Sequence, residues 1–152
     1  MVLVSGCSDK QKSPSSTDSA PVKREAKVVV PPEVQGQWKA VRIAVFNKES
    51  RKETVYTVDI GSSFRIKSTS LTLKVLYFLP AFIMDGTVMT SVSNELKNPA
   101  ALVEVRDHDK QIFKGWLFSL YPGAHPFQHP NYSYTLVDFV PVQKNELTEP
   151  VK

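Results

Sequence analysis

From Trp38 onward, apolar and polar residues alternate in short runs separated by turn residues, and this period of two predicts β-strands. The run 38–46 puts Val41, Ile43 and Val45 on one face and Ala40, Arg42 and Ala44 on the other. A polar stretch, 47–52, predicts a hairpin loop, and 53–60 returns with Tyr56, Val58 and Ile60 sharing a face. Gly61-Ser62-Ser63 turns the chain into a short strand over 64–67. The strongest strand is 71–79, with Leu71, Leu73, Val75, Tyr77 and Leu79 expected inside and Thr72 and Lys74 outside; Pro80 ends it. The least periodic stretch is 81–98, where Phe82-Ile83-Met84 is apolar, Asp85-Gly86 reads as a turn and 87–93 as a further strand. Alternation resumes over 100–106, with Ala101, Val103 and Val105 opposite Glu104 and Arg106. Asp107-His108-Asp109-Lys110 forms a tight turn and 111–119 completes a hairpin. A loop with three prolines covers 120–131, a last strand covers 132–140, and a polar tail closes the chain over 143–152. No segment holds a helical period beyond two turns. About seven strands at this spacing predict one all-β domain over 36–142, a small antiparallel β-sandwich or partly closed barrel.

The first 35 residues follow another pattern. Residues 8–35 are rich in Ser, Pro, Lys and Asp and carry no apolar period, so they cannot bury enough surface to offset their ordering entropy and read as a disordered tether. Within it, Val28-Val29-Val30 has the composition of an edge strand that Pro31-Pro32 stops. Ahead of the tether stands Val2-Leu3-Val4-Ser5-Gly6-Cys7, similar to a bacterial lipobox, in which small residues before a cysteine admit the signal peptidase and the thiol takes a diacylglyceryl group. Cys7 is the only cysteine, so an intrachain disulfide is excluded and lipidation gives the thiol a purpose. Several acyl chains on one residue anchor stably, at about 0.8 kcal/mol per buried methylene. Only six residues precede Cys7 and none is basic, fewer than a signal peptide needs, so the start of translation is expected further upstream. Ser8 directs a lipoprotein toward the outer rather than the inner membrane, and Asp9 weakens that direction.

Charge adds little. The net +4 is spread without a dense basic block, so no nucleic-acid partner is expected.

The residues able to carry chemistry are few. His125 and His129 are four apart, a zinc-binding spacing on a helix, but Pro126 and Pro130 exclude a regular helix there and no carboxylate adjoins them. The plainer expectation is that His129-Pro130 fixes the loop, with the imidazole bonded to backbone. Asp107-His108-Asp109 reads as turn chemistry rather than as an acid–base pair or calcium ligands. The serines at Gly61-Ser62-Ser63 lack a nucleophile elbow, and no Gly-rich phosphate loop is present. Aromatics gather near the last hairpin: Trp116 and Phe118 share a strand face and are expected in the core, while Tyr121 and Phe127 lie on the loop. The candidate binding surface is therefore Tyr121, His125, Phe127, His129 and Tyr132, with no catalytic residue, no metal ligand and no cofactor expected.

Two stretches carry a family resemblance. The opening one is 39–47 followed by Thr57-Val-Asp-Ile-Gly61-Ser-Ser-Phe64; the closing one is Phe113-Lys-Gly-Trp116-Leu-Phe118, His129-Pro130-Asn-Tyr132 and Leu136-Val-Asp138. Together they resemble the bacterial envelope family catalogued as domain of unknown function 2155. The resemblance implies secretion and an all-β domain and brings no activity. It also implies two cysteines in relatives at places taken here by residues near Tyr77 and Phe139, so any disulfide of those relatives is absent from this chain.

The leading expectation is a non-enzymatic envelope lipoprotein, held to the membrane through Cys7, whose β-domain binds another envelope protein or supports an assembly. The alternatives are a module binding carbohydrate or cell-wall ligand on loop aromatics, and a metal-dependent enzyme using His125 and His129.

Overall fold

The computed structural model describes residues 26–124 and 127–143. Cys7, the first part of the tether, His125 and nearly all of the C-terminal tail lie outside the described residues. Within them the chain is all-β. Its strands are β1 (Lys27–Val28), β2 (Trp38–Asn47), β3 (Lys52–Asp59), β4 (Ser63–Arg65), β5 (Leu71–Leu79), β6 (Phe82–Asp85), β7 (Val88–Ser91), β8 (Ala100–Asp107), β9 (Lys110–Phe118) and β10 (Tyr132–Pro141). They number ten rather than about seven and form three sheets, ordered β10-β2-β3, β4-β5-β8-β9 and β1-β7-β6.

The first two sheets form the sandwich. Val41, Ile43, Val45, Tyr134 and Leu136 from one meet Leu71, Leu73, Val75, Val103, Val105 and Leu117 from the other in a single buried cluster. The corner between them is tied by backbone bonds from Gly61 N to Val75 O at 2.7 Å and from Val75 N to Ser62 O at 3.0 Å. Gly61 takes φ +91° at this corner, a backbone region that L side chains rarely adopt.

The alternation of β5 breaks once. A register shift between Val75 and Tyr77 leaves Leu76 without a ladder partner, so Phe78 rather than Tyr77 turns into the core. Tyr77, expected inside, is exposed on the other face. Leu79 is buried nonetheless.

The third sheet is built from residues whose alternation was hardest to read. The β6–β7 hairpin turns at Gly86-Thr87, one residue past the expected Asp85-Gly86 because Asp85 still pairs with Val88; Gly86 has φ +59°, and β1 joins β7 in parallel with Lys27 opposite Val88. Residues 26–35, within the segment expected to be a tether, thus supply a strand and a turn in which Val34 is buried. Phe82 packs its ring on Trp116 and Phe118 at 5.0 Å each, and the Trp116 indole N–H reaches Met89 Sδ at 3.0 Å. Trp116 and Phe118 therefore do share a face, but it is not that of the sandwich core: their neighbour Leu117 enters the core, and they hold the β6–β7 hairpin in place.

On the core face of β9, Gly115 stands beside Phe113. A Cβ added at Gly115 would lie 2.6 Å from Phe113 Cζ, because the Phe113 ring crosses the space a side chain would use. That ring cannot swing away freely, since it stacks on Phe127 at 4.5 Å. Gly115→Ala is expected to cost about 1–3 kcal/mol in urea unfolding, the range for overpacking a filled core. An unchanged midpoint would show that the ring moves without loss.

Candidate functional site

The residues proposed from sequence as a binding surface separate on folding. Phe127 lies under the loop, stacked on Phe113 at 4.5 Å and on Tyr134 at 5.5 Å, with interplanar angles of 29° and 26°. It joins the sandwich core from the side and holds the loop down, so its ring is engaged in packing rather than offered to a sugar. Tyr121 is the opposite case, 60% exposed. Its backbone N–H closes a turn on Phe118 O, which leaves the side chain facing outward beside Leu120.

His129 behaves as the plain reading expected. Its Nδ1 accepts the Asn131 backbone N–H at 3.1 Å, and its carbonyl accepts from Lys48 Nζ at 2.9 Å. With Nδ1 accepting, the neutral ring carries its proton on Nε2. Burial pushes the imidazole below its ordinary value, and the Lys48 charge acts in the same direction while Asp107 opposes both. Tyr132 stands beside the imidazole, centroids 5.5 Å apart.

Two clefts share His129 as a wall. One, of about 580 Å³, runs from Lys48 past Phe127 and His129 to Ser133, Tyr134 and Thr135 on β10. The other, of about 460 Å³, lies between Asp107, the turn at Ser68–Ser70 and the segment from His129 to Tyr132. Sequence reading treated Asp107 and His129 as unrelated turns; the fold brings them to one end of the sandwich because the β8–β9 turn and the end of the long loop meet there. Asp107 is held below the usual carboxylate range, first by the Ser70 hydroxyl that donates to it and then by His108 at 3.0 Å. His108 takes φ +54° in the two-residue turn between β8 and β9, consistent with turn chemistry at 107–110. Among the described residues, no group of three or more His, Cys, Asp and Glu is placed to hold a metal ion.

Sequence reading gave Tyr134 no role beyond its place among the aromatics near the last hairpin. It is 2% exposed, its hydroxyl has no hydrogen-bond partner among the described residues, and it lines the larger cleft. Burial pushes its phenol well above the ordinary value of about 10. A phenol whose folded value is raised stabilises the fold fully below the unfolded value and loses that contribution as pH rises through the folded one. In an ultraviolet titration, the phenolate signal that Tyr134→Phe removes is therefore expected to appear only as the domain unfolds. Its appearance ahead of unfolding would contradict the burial of that hydroxyl.

A second surface is apolar. Met84 at 63% exposure, Ile83, Val92, Leu96, Leu120 and Tyr121 stand on three segments: the β6–β7 hairpin, the 92–98 loop and the start of the β9–β10 loop. These segments are joined by Phe82 N to Asn98 O at 3.0 Å, Val92 N to Ala81 O at 3.0 Å, and Ser119 N to Pro99 O at 3.0 Å.

The fold and these surfaces define a small all-β domain, a two-sheet sandwich with a third sheet packed on its outer face. Residues 41–138 match the family described as uncharacterized protein conserved in bacteria (DUF2155), and the chain belongs to that family. No curated protein and no solved structure matches the chain. Among the described residues no helix is long and apolar enough to cross a membrane.

Proposed function

We propose that this chain is a lipid-anchored protein of the bacterial envelope whose β-domain binds a second envelope protein through the apolar surface around Met84, Leu120 and Tyr121. The observation that carries this reading is the surface itself. Six large apolar side chains are exposed on three segments that backbone hydrogen bonds hold side by side, and apolar patches on soluble domains commonly serve as contact sites. Tyr121 adds a ring with a polar tip, a side-chain type enriched at protein contacts. The lipid anchor rests on the lipobox-like run ending at Cys7 and the Ser/Pro-rich stretch after it. The N–H of Lys27, near the start of the described residues, bonds Thr87 O on the same hairpin as Met84, so a tether leading to it would share one side of the domain with the partner.

The test uses the native organism and the gene with its upstream codons. A photo-crosslinking residue is placed at 84, at 121, or at Val55, which is 50% exposed but lies on β3. The expected result is one envelope-protein adduct from 84 and 121 and none from 55, with a mature N-terminus at Cys7 carrying acyl chains. An unmodified Met1 would remove the envelope, and adducts that do not distinguish 55 from 121 would remove the patch.

A further inference from the structure

One edge of the sandwich, the free side of β3, is not used by the protein-partner reading. In the β2–β3 ladder the Ile60 N–H bonds Lys39 O at 3.0 Å, and the register continues without a shift from Ala40 opposite Asp59 to Asn47 opposite Lys52. Hydrogen-bonded and open pairs alternate along an antiparallel ladder, so Val58, Tyr56, Thr54 and Lys52 direct their backbone groups at β2. Glu53, Val55 and Thr57 direct theirs away from the sheet, of which β3 is the last strand. Their side chains are exposed as well. Such a row of open donors and acceptors is a template for a further strand. Arg51, Glu53 and Asp59, the charged residues along it, enter none of the ion pairs among the described residues. They decide which strand fits. A second copy of β3 laid antiparallel must set outward-directed residues opposite one another, so the two-fold axis passes through a residue. An axis at Glu53 sets that carboxylate against its own copy, one at Tyr56 sets Glu53 against Asp59, and one at Thr54 sets Glu49 against Asp59. An axis at Thr57 sets Val55 against Asp59 and runs Glu53 into the Gly61 corner. An axis at Val55 opposes no like charges: Val55 meets Val55, Glu53 meets Thr57, and Arg51, the last residue of the β2–β3 turn, comes level with Asp59.

We infer that two copies of this chain pair through β3, antiparallel and with the two-fold axis at Val55, so that their β10-β2-β3 sheets join into one continuous sheet. The backbone groups of Glu53, Val55 and Thr57 close the new ladder. Val55, half exposed in the single chain, is covered by its own copy. Arg51 and Asp59 offset each other's charge at both ends. The charges that would repel this edge in another register therefore specify this one. The inference is independent of the apolar patch, because none of these residues belongs to it. A crosslinker at 55 then captures the chain's own copy, at twice its mass, and never the partner taken from 84 and 121.

The experiment is sedimentation equilibrium of the full chain, with reductant present so that Cys7 forms no disulfide. The expected result is a reversible equilibrium between monomer and dimer. Val55→Lys sets two ammonium groups against each other at the axis. Arg51→Asp brings a carboxylate level with Asp59, and Asp59→Arg brings a guanidinium level with Arg51. Each of the three is expected to weaken the dimer at least about tenfold, which corresponds to about 1.4 kcal/mol. All three positions are exposed, so the fold is retained. The double variant R51D/D59R exchanges the two signs and is expected to bring the dimer back to within about threefold of the parent, which a loss of folding would not do. A chain that stays monomeric at every concentration would overturn the inference, as would a dimer that Val55→Lys leaves intact. A double variant no tighter than its two single variants would overturn the register at Val55.

Discussion

Leu73→Ala is expected to remove about 3–4 kcal/mol of stability, while Tyr77→Ala, four residues along the same strand, removes about 1 kcal/mol or less. Leu73 is fully buried at the middle of β5, with Phe64 of β4 and Val105 of β8 as its ladder neighbours. Its side chain enters the space between the two sandwich sheets, where cutting leucine to alanine loses both the transfer energy and the contacts around the hole that remains. A domain of this size holds about 5–15 kcal/mol in total, so the loss is a large share of it. Tyr77 has the same parity in the sequence and would be equally costly if β5 alternated without interruption. The register shift after Val75 exposes it instead. Urea unfolding of the two variants of the full chain tests the shift directly. Equal losses would mean that Tyr77 is inside and that the ladder between β5 and β8 is regular.

This comparison marks where the sequence was legible. Strands that bury one face and show the other to solvent or to small residues announce themselves by alternation, and β2, β3 and β8 follow the predicted faces: Val41, Ile43, Val45, Val58, Val103 and Val105 are buried. The bulge in β5 was not legible, because an extra residue between apolar neighbours leaves Leu76, Tyr77 and Phe78 equally apolar in either phase. The β6–β7 hairpin was hard to read because its strands have four residues each and its packing against Trp116 comes from a strand far along the chain. The same limit hid the meeting of Asp107 and His129, which lie twenty-two positions apart in chain order and are joined only by tertiary structure. Tyr134 left one faint mark: a core-facing position, between Tyr132 and Leu136 on an alternating strand, filled by tyrosine where phenylalanine would pack without an extra polar atom.

The loop aromatics give the second large expectation. Phe127→Ala should destabilise the full chain by about 2–3 kcal/mol, below the range of about 3–5 for a fully buried ring because Phe127 is only half-buried, and Tyr121→Ala should stay within about 0.5 kcal/mol of the parent. The reason is position in the fold rather than residue type. Phe127 stacks against Phe113 on β9 and Tyr134 on β10, the strands at the two edges where the sandwich sheets come together without pairing. Its ring thus bridges a seam that no backbone ladder closes, and each aromatic pair is worth about 0.5–1.5 kcal/mol beyond the area it buries. Removing it takes the Phe127 stacking contact from the Phe113 ring over Gly115 and opens the wall of the cleft that Tyr134 lines. Tyr121, by contrast, touches little that unfolding would disturb, and its substitution should act only on the crosslinked adduct. If Phe127→Ala unfolds at the parent's urea midpoint, the seam closes without the ring, and Phe127 returns to the surface available to a partner. If Tyr121→Ala is the destabilising variant, the exposed patch is part of the fold's own packing and the proposed partner site loses its anchor.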